Sequence, residues 1–316
     1  MDMLRGAVIG SGNMGRHHVR IMSQCEDVEL AYVVDSNVTT ARELCGQWGG
    51  EALPSINELS PIDVAIIAVP TQLHEEIALT LIDRGINLLI EKPLADSPEA
   101  AQRIVDAAQE AGVTLAIGHV ERFNPAIQEL KRRLKSPKMI SIERLSPFPT
   151  RIKDSVIYDL TVHDVDLACW LAESEPVDVH AMGTKVLSDK VDIASTQLRF
   201  ANGCIATLQT SRITQDKVRR IEISETERFF NVDMLKQNIE IKRSARVENK
   251  TEEGRATFTQ ETISEIPTIA AGGEPLRKEQ EDFYRAVRSG GDPAVTGADG
   301  LRAVKLVDQI EKLATA

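Results

Sequence analysis

The chain has 316 residues, a length that suits two domains of ordinary size. Hydrophobic residues make up 42% of it and charged residues 27%, which excludes intrinsic disorder and collagen-like sequence. Because 37 Lys and Arg face 48 Asp and Glu, the formal net charge is −11, and aromatic residues are only 4%. This balance argues against nucleic-acid binding, so we expect small molecules or proteins as partners.

Residues 1–5 lead directly into an apolar segment, so we expect no secretion signal. The longest purely apolar run, residues 64–69, is far shorter than the roughly 20 residues that span a bilayer, so we expect no membrane partner. The cysteines show no C-x-x-C pair, and they are Cys25, Cys45, Cys169 and Cys204. We interpret them as reduced thiols of a cytoplasmic protein.

The first third of the chain alternates short apolar runs with helical patterns, which is typical of βαβ units and a parallel sheet. Strands are predicted over residues 6–9, 28–34, 64–69, 87–90 and 114–117. Helices are predicted over residues 15–23, 39–46, 72–84 and 97–111. The last helix has Ser97 as its predicted N-cap and Pro98 in its first turn.

Beyond about residue 121 the pattern changes to strands with few helices between them. Strands are predicted over residues 139–145, 177–186, 196–200, 204–208, 218–223 and 239–242, with a hairpin turn at Asn202-Gly203. Helices return over residues 277–288 and 298–313. We therefore expect an α/β Rossmann domain with a doubly wound parallel sheet over residues 1–120. An α+β domain with a mainly antiparallel open sheet and C-terminal helices is expected over residues 121–316.

A G-x-G-x-x-G motif follows the first predicted strand, formed by Gly10, Ser11, Gly12, Asn13, Met14 and Gly15. The first glycine permits a tight turn, the second lets the backbone approach a pyrophosphate, and the third lets helix and strand pack closely. Asp35 ends the next predicted strand, where a carboxylate accepts hydrogen bonds from an adenosine ribose. Because such a carboxylate repels a 2′-phosphate, the pattern predicts an NAD site rather than an NADP site.

Two further strand ends lie on the same edge of the predicted sheet, where open α/β sheets bind their ligands. One carries Val69, Pro70 and Thr71, and the next carries Glu91, Lys92 and Pro93. Each tripeptide is also compatible with an ordinary turn, because proline favours turns. His74 follows Thr71 within one turn and either faces the cofactor or lies on the surface.

Asp159 and His163 are four residues apart in what we expect to be an early turn of an amphipathic helix, so they share one helix face. Oxidation of an alcohol needs a proton acceptor besides the hydride acceptor, and histidine titrates near neutral pH. We expect His163 to act as the general base, with Asp159 orienting its imidazole. Lys92 is expected to donate a hydrogen bond to the reacting oxygen.

This helical segment has two other interpretations. In the first, Asp159 is only an N-cap and His163 is a packed helix residue. In the second, His163, Asp164 and Asp166 bind a metal ion. We disfavour the metal site, because successive helix positions point in different directions and do not converge on one ion.

Taken together, the glycine motif, Asp35, the Glu91-Lys92-Pro93 tripeptide and the Asp159 and His163 pair resemble the glucose-fructose oxidoreductase and inositol dehydrogenase family. The resemblance extends to the closing stretch with Leu276, Phe283, Gly291 and Pro293. It implies that Lys92 contacts substrate and nicotinamide ribose, and that Asp159 and His163 are the acid and histidine pair. It also implies a homodimer or homotetramer built through the open face of the second sheet.

The chain departs from this family at positions before and between the acid and the histidine. Where the family often has glycines, this sequence has Ser155, Val156, Ile157 and Thr161. These bulkier side chains leave the substrate pose open but do not alter the expected chemistry.

A narrower resemblance, to the branch of the family that oxidises UDP-N-acetylglucosamine at the sugar 3-hydroxyl, is carried by residues 118–125 and 159–166. It implies NAD-dependent oxidation of a UDP-sugar hydroxyl to a ketone. His119 would approach the nicotinamide and Arg122 a substrate anion; a histidine at a domain junction and an arginine paired with a local carboxylate are the structural alternatives. The alternative functions are an inositol or free-sugar dehydrogenase and a catalytically silent NAD-binding regulator.

Overall fold

The computed structural model describes residues 3–149, 154–250, 256–269 and 273–315. The chain forms two compact units, one of Met1–Phe123 with Gly273–Asp308, and one of Asn124–Gly272 with Gln309–Ala316. The C-terminal helices were expected in the second domain, but most of their length belongs to the first unit. The physical reason is burial, because Phe283 and Tyr284 complete an apolar core of the first unit together with Val8 and Val33.

The first unit is built on a six-stranded parallel sheet in the order β3-β2-β1-β4-β5-β6. Its strands are β1 (Leu4–Ile9), β2 (Val28–Val34), β3 (Glu51–Leu53), β4 (Val64–Ile67), β5 (Asn87–Glu91) and β6 (Leu115–Gly118). Its helices are α1 (Asn13–Ser23), α2 (Val38–Trp48), α3 (His74–Ile82), α4 (Pro98–Ala111) and α7 (Pro275–Ser289), and α8 (Gly297–Thr315) begins in it. The predicted doubly wound Rossmann sheet is confirmed.

The strand order of this sheet reverses beside β1, which pairs with β2 on one side and with β4 on the other. Strands with uninterrupted apolar sequence are buried on both faces, as β4 shows with every residue at 0% exposure. A crevice opens at such a reversal, outside the carboxyl ends of the strands. The fold therefore brings the segments that follow β1, β2, β4 and β5 to one edge of the sheet.

Helix α4 begins as its sequence predicts. The Ser97 hydroxyl accepts a hydrogen bond from the Ala100 amide at 3.3 Å, and Pro98 occupies the first turn. The helix ends at Gly112, whose φ of +67° is a left-handed conformation that glycine adopts without a Cβ penalty. This helix covers one face of the sheet through Ala101, Ile104 and Ala108.

The second unit is built on an eight-stranded sheet in the order β14-β13-β12-β11-β7-β10-β9-β8. Its strands are β7 (Met139–Leu145), β8 (Pro176–Thr184), β9 (Ile193–Phe200), β10 (Ile205–Ser211), β11 (Val218–Ser224), β12 (Arg228–Asp233), β13 (Asn238–Lys250) and β14 (Ala256–Glu265). Neighbouring strands are antiparallel except β7 and β10, which are parallel. The mainly antiparallel sheet is confirmed.

The Asn202-Gly203 turn joins β9 and β10 as predicted, with Arg199 paired to Ile205. Strands β12 and β14 were missed, and β13 is much longer than the predicted residues 239–242. The reason is composition, because these strands carry many charged and polar residues, so their apolar alternation is confined to short runs.

Helices α5 (Pro125–Arg133) and α6 (Val162–Ala172) belong to the second unit, and α6 contacts β7 and β10. The expectation of an amphipathic helix here is wrong, because every residue of α6 except His163 and Trp170 is buried. A π-helical turn over Ile157–Thr161 precedes α6 and contains Asp159. Such wide helical turns are frequently found at functional sites.

A buried arginine fixes the segment that leads into this π-helical turn. Arg212 donates to the Asp192 carboxylate at 2.9 Å and to the Asp154 carbonyl at 2.7 Å. Burial alone would raise the pKa of Asp192, but hydrogen bonds from Ser188, the neighbouring backbone amides and Arg212 hold that pKa well below its usual range. The chain just before Asp159 is thereby tied to a buried ion pair.

None of the four cysteines, all of which lie in the described part of the chain, forms a disulfide. Across the described ranges, no helix combines the length and apolar character needed to cross a bilayer.

Candidate active site

The glycine motif folds into a turn that tolerates no side chain at two of its three glycines. Gly10 has a φ of +101°, and a Cβ there would lie 2.6 Å from the Ala68 carbonyl oxygen. A Cβ on Gly15 would lie only 1.9 Å from the Gly10 carbonyl oxygen. In contrast, a Cβ on Gly12 would have no atom of the described chain within 4 Å. Gly12 thus faces open space that a pyrophosphate can approach.

The amino terminus of α1 presents its first backbone amides beside this open space. Gly12 is the N-cap residue, and no side chain of the described residues caps the helix there. The neighbouring Ser11 hydroxyl donates instead to Asp35 at 2.6 Å. Unsatisfied amides and the helix dipole make this end of α1 fit for an anion.

Asp35 closes the other side of the glycine turn. One carboxylate oxygen accepts from the Ser11 amide at 2.7 Å, and the other accepts from the Asn37 amide at 2.8 Å. Burial would raise the pKa of this carboxyl, but the hydrogen bonds from Ser11 and Asn37 outweigh burial and lower the pKa. Asp35 is therefore an anion at neutral pH, at the strand end where a ribose hydroxyl would bind.

His74 is buried, so the alternative that placed it on the surface is wrong, and its contact with the cofactor stays a prediction. The ring is 1% exposed, with Nε2 lying 3.0 Å from the Val69 carbonyl oxygen and Nδ1 lying 3.1 Å from that of Pro93. Burial lowers the pKa of His74. The imidazole links the segment after β4, with Val69, Pro70 and Thr71, to the segment after β5.

Glu91 ends β5 at the same edge of the sheet, and Lys92 follows it directly. The Glu91 carboxylate is nearly buried, contacts His18 Nε2 at 2.8 Å and accepts from the Lys92 amide at 3.2 Å. Lys92 is half-buried, and its peptide bond to Pro93 is cis. Gly118 on β6 packs against this point, since a Cβ there would lie 3.1 Å from Glu91 Cα.

Two of the predicted site residues, His119 and Arg122, follow β6. His119 is buried directly after the strand, at the edge that carries the glycine turn. Arg122 is also buried, and its guanidinium pairs with Asp299 at 3.1 Å and donates to the Ala294 carbonyl. The structural alternative for Arg122, pairing with a local carboxylate, is therefore the one that the structure supports.

In the second unit, Asp159 is exposed on the π-helical turn and His163 is half-buried in α6. Asp164 is fully buried and accepts from Arg144 on β7 at 2.7 Å, which commits it to an ion pair rather than to a metal ion. Among the described residues, no group of three His, Cys, Asp or Glu side chains has the arrangement of a metal site.

Sequence reasoning missed a set of buried polar residues beside Glu91, namely His18, Glu279, Gln280 and Tyr284. The signal for His18 is its position three residues after Gly15 on the buried face of α1. The partners on α7 lie more than 250 residues away, so no local pattern predicts the contact.

Comparison with known families gives a match in each unit. Residues 4–119 match a family described as an oxidoreductase family with an NAD-binding Rossmann fold. Residues 141–230 match the GFO/IDH/MocA C-terminal domain.

Two relatives are similar over most of the chain. The UDP-N-acetylglucosamine 3-dehydrogenase of Acidithiobacillus ferrooxidans is 37% identical over 76% of this chain and 77% of its own. A solved structure of that enzyme superposes with a TM-score of 0.90 at 32% identity, covering 99% of this chain and 98% of the other. The inositol 2-dehydrogenase of Rhizobium meliloti is 26% identical over 96% of this chain and 95% of its own.

A levoglucosan dehydrogenase in complex with NADH shares the fold, with a TM-score of 0.85 at 21% identity over 99% of this chain and 97% of the other. The glycine turn, the uncapped amino terminus of α1 and the ionised Asp35 fit the NAD that the description of the matched family names. Because both matched regions and these relatives agree, the chain belongs to the GFO/IDH/MocA oxidoreductase family and is an NAD-dependent dehydrogenase.

Proposed function

We propose that this dehydrogenase oxidises UDP-N-acetylglucosamine, or a related UDP-sugar, to a ketone at the sugar 3-hydroxyl. The observation that carries the proposal is the likeness to the UDP-N-acetylglucosamine 3-dehydrogenase along 99% of the chain, with a TM-score of 0.90. The inositol 2-dehydrogenase of Rhizobium meliloti is similar over as much of the chain but at 26% identity. Inositol or a free sugar is therefore the second candidate substrate.

We infer that three residues carry the chemistry, which are Lys92, Asp159 and His163. His163 accepts the hydroxyl proton as general base, and Asp159 orients its imidazole and stabilises the imidazolium. Lys92 donates a hydrogen bond to the reacting oxygen and offsets the negative charge that develops on it. NAD, when bound, supplies the hydride acceptor. His119, buried after β6, lines the cofactor site in this account.

A regulator without catalytic activity is disfavoured, because the similar curated proteins are dehydrogenases and the sequence retains all three of these polar residues. A cytoplasmic location stays a prediction from the sequence.

We also propose that the protein assembles as a homodimer or homotetramer through the open face of the second sheet. Several apolar side chains are exposed on the strands of that sheet, with Val177 at 63% and Met182 at 75% on β8. Exposed apolar surface of this kind marks interfaces between chains.

The substrate assignment is tested by NADH formation with purified protein and a panel of UDP-N-acetylglucosamine, its uronic acid, free hexoses and myo-inositol. An aminotransferase that consumes the ketone draws the reaction forward. We expect turnover with a UDP-sugar, at least tenfold above that with myo-inositol. Turnover confined to myo-inositol or a free sugar would transfer the assignment to the second candidate.

Cofactor choice depends on the Asp35 charge, because a carboxylate repels the 2′-phosphate of NADP. We expect Asp35→Asn, which keeps the side-chain shape, to raise the ratio of kcat/KM for NADP over NAD by about tenfold or more. Asp63→Asn is the matched control, because Asp63 binds the Arg5 amide at the opposite edge of the same sheet. An equal change in both variants would contradict this role for Asp35.

The base role is tested by His163→Ala. Because a positioned base contributes about 10²- to 10⁴-fold, we expect kcat to fall by that factor while the Kd for NAD, measured by fluorescence titration, stays nearly unchanged. His180→Ala, an exposed histidine on β8, serves as the control and retains activity. Full activity of His163→Ala would remove this histidine from the base role.

A further inference from the structure

A network of buried hydrogen bonds runs through the first unit and ends at the backbone of Lys92. The Tyr284 hydroxyl donates to Gln280 Oε1 at 3.0 Å, and Gln280 Nε2 lies 2.9 Å from His18 Nδ1. His18 Nε2 lies 2.8 Å from Glu91 Oε1. The second Glu91 oxygen accepts from the Lys92 amide at 3.2 Å.

Every hydrogen bond in this network is donated in the direction of Glu91. Gln280 has its amide nitrogen toward His18, because that nitrogen also lies 3.4 Å from the His18 carbonyl oxygen while the amide oxygen accepts from Tyr284. His18 Nδ1 is therefore an acceptor, and the imidazole proton is on Nε2, where it is donated to Glu91. Gln280 on α7 thus fixes the tautomer of His18, and in this tautomer the Nε2 proton is donated to Glu91 on β5.

Glu91 is the anion of this region. Burial would raise its pKa, but the hydrogen bonds from His18 and the Lys92 amide and the nearby positive charge together outweigh burial and lower the pKa. Glu279, one residue before Gln280, is even more deeply buried, and neither of its oxygens has a hydrogen-bond partner among the described residues. Burial and the nearby charge of Glu91 raise the pKa of Glu279 well above its usual value. The pKa values of two neighbouring buried carboxyls are therefore shifted in opposite directions, and of the two only Glu91 accepts a hydrogen bond from the Lys92 amide.

The network joins three elements of the first unit, two of which end at the proposed dinucleotide site. His18 belongs to α1, whose amino terminus is the anion-binding end described above. Glu91 is the last residue of β5. Gln280 and Tyr284 lie one turn apart on α7 and are both fully buried. A rigid buried network of this kind fixes the backbone position of the residue that it reaches.

We infer that Glu91 and His18 are positioning residues, which fix the backbone of Lys92 relative to helix α1 and so hold the lysine amine at the reacting oxygen. The inference rests on the proposed role of Lys92, and it adds two residues that act only through that lysine. Misplacement of a reacting group by about 1 Å costs on the order of 10²-fold in rate.

The test uses Glu91→Gln, which keeps the side-chain shape and removes the anion. We expect kcat to fall by about 10- to 100-fold, with the Kd for NAD changed less than threefold. The second variant, His18→Gln, keeps an amide donor that can reach Glu91, and we expect it to retain more activity than His18→Leu.

Glu279→Gln is the matched control. It makes the same chemical change in a buried carboxyl of the same region, but Glu279 takes no part in the hydrogen-bond network that reaches Lys92. We expect it to leave kcat unchanged. An equal loss in Glu279→Gln and Glu91→Gln would overturn the inference, because the effect would then belong to any substitution in this buried region.

A double-mutant cycle tests whether Glu91 acts through the lysine. In the Lys92→Met background, we expect Glu91→Gln to cost less than twofold in kcat, since the group that it positions is already absent. A full additive loss in that background would overturn the inference.

A readout that needs no substrate separates this inference from the proposed function. Trace acylation with acetic anhydride, followed by mass spectrometry, gives the rate at which the Lys92 amine reacts relative to exposed lysines. We expect Glu91→Gln to change that rate at least threefold and Glu279→Gln to leave it unchanged. An unchanged Lys92 rate in Glu91→Gln would overturn the inference, whichever sugar is the substrate.

Discussion

The reversal of strand order beside β1 is the constraint on which the rest of the first unit depends. Because β1 pairs with β2 on one side and with β4 on the other, the segments that follow these three strands leave the sheet at the same edge. The glycine turn needs this arrangement, since Gly10 lies against the Ala68 carbonyl just beyond β4. A bulkier residue at Gly10 or Gly15 would separate α1 from the sheet and remove the anion-binding helix end from its place.

The ionisation of the carboxyl groups near this edge depends on the hydrogen bonds that they accept rather than on their exposure to solvent. Asp35 and Glu91 are both at least partly buried, yet donors from Ser11 and His18 favour their ionised forms. Glu279 lies in the same region without a hydrogen-bond donor among the described residues, and burial favours its neutral form. Hydrogen bonding thus gives the site one carboxylate suited to a ribose and another suited to holding the Lys92 backbone.

Much of this arrangement was predictable from local sequence, and the reasons are physical. The strands of the first sheet are apolar runs buried on both faces, and the glycine spacing is imposed by close backbone contacts, so both are visible in the sequence. Ser97 with Pro98 also marked its helix start correctly. The assignment of the chain to its family followed from the order of these motifs.

The features that escaped prediction depend on contacts between distant parts of the chain. Helix α7 carries a helical pattern, but only packing shows that Phe283 and Tyr284 belong to the first core. His74 was expected near the cofactor or on the surface, and its role in joining two strand ends depends on carbonyl groups that carry no sequence signal. The π-helical turn before α6 and the strands β12 and β14 were likewise set by tertiary packing.

The proposed oxidation of a UDP-sugar at its 3-hydroxyl requires that hydride leave carbon 3 of the sugar. UDP-N-acetylglucosamine that carries deuterium at C3 tests this requirement, with the reduced cofactor analysed by mass spectrometry. We expect the deuterium to appear on the nicotinamide ring and turnover to be slower than with unlabelled substrate or with substrate labelled at C4. Reduced cofactor that forms without deuterium, or that acquires it from the C4-labelled sugar, would rule out oxidation at the 3-hydroxyl.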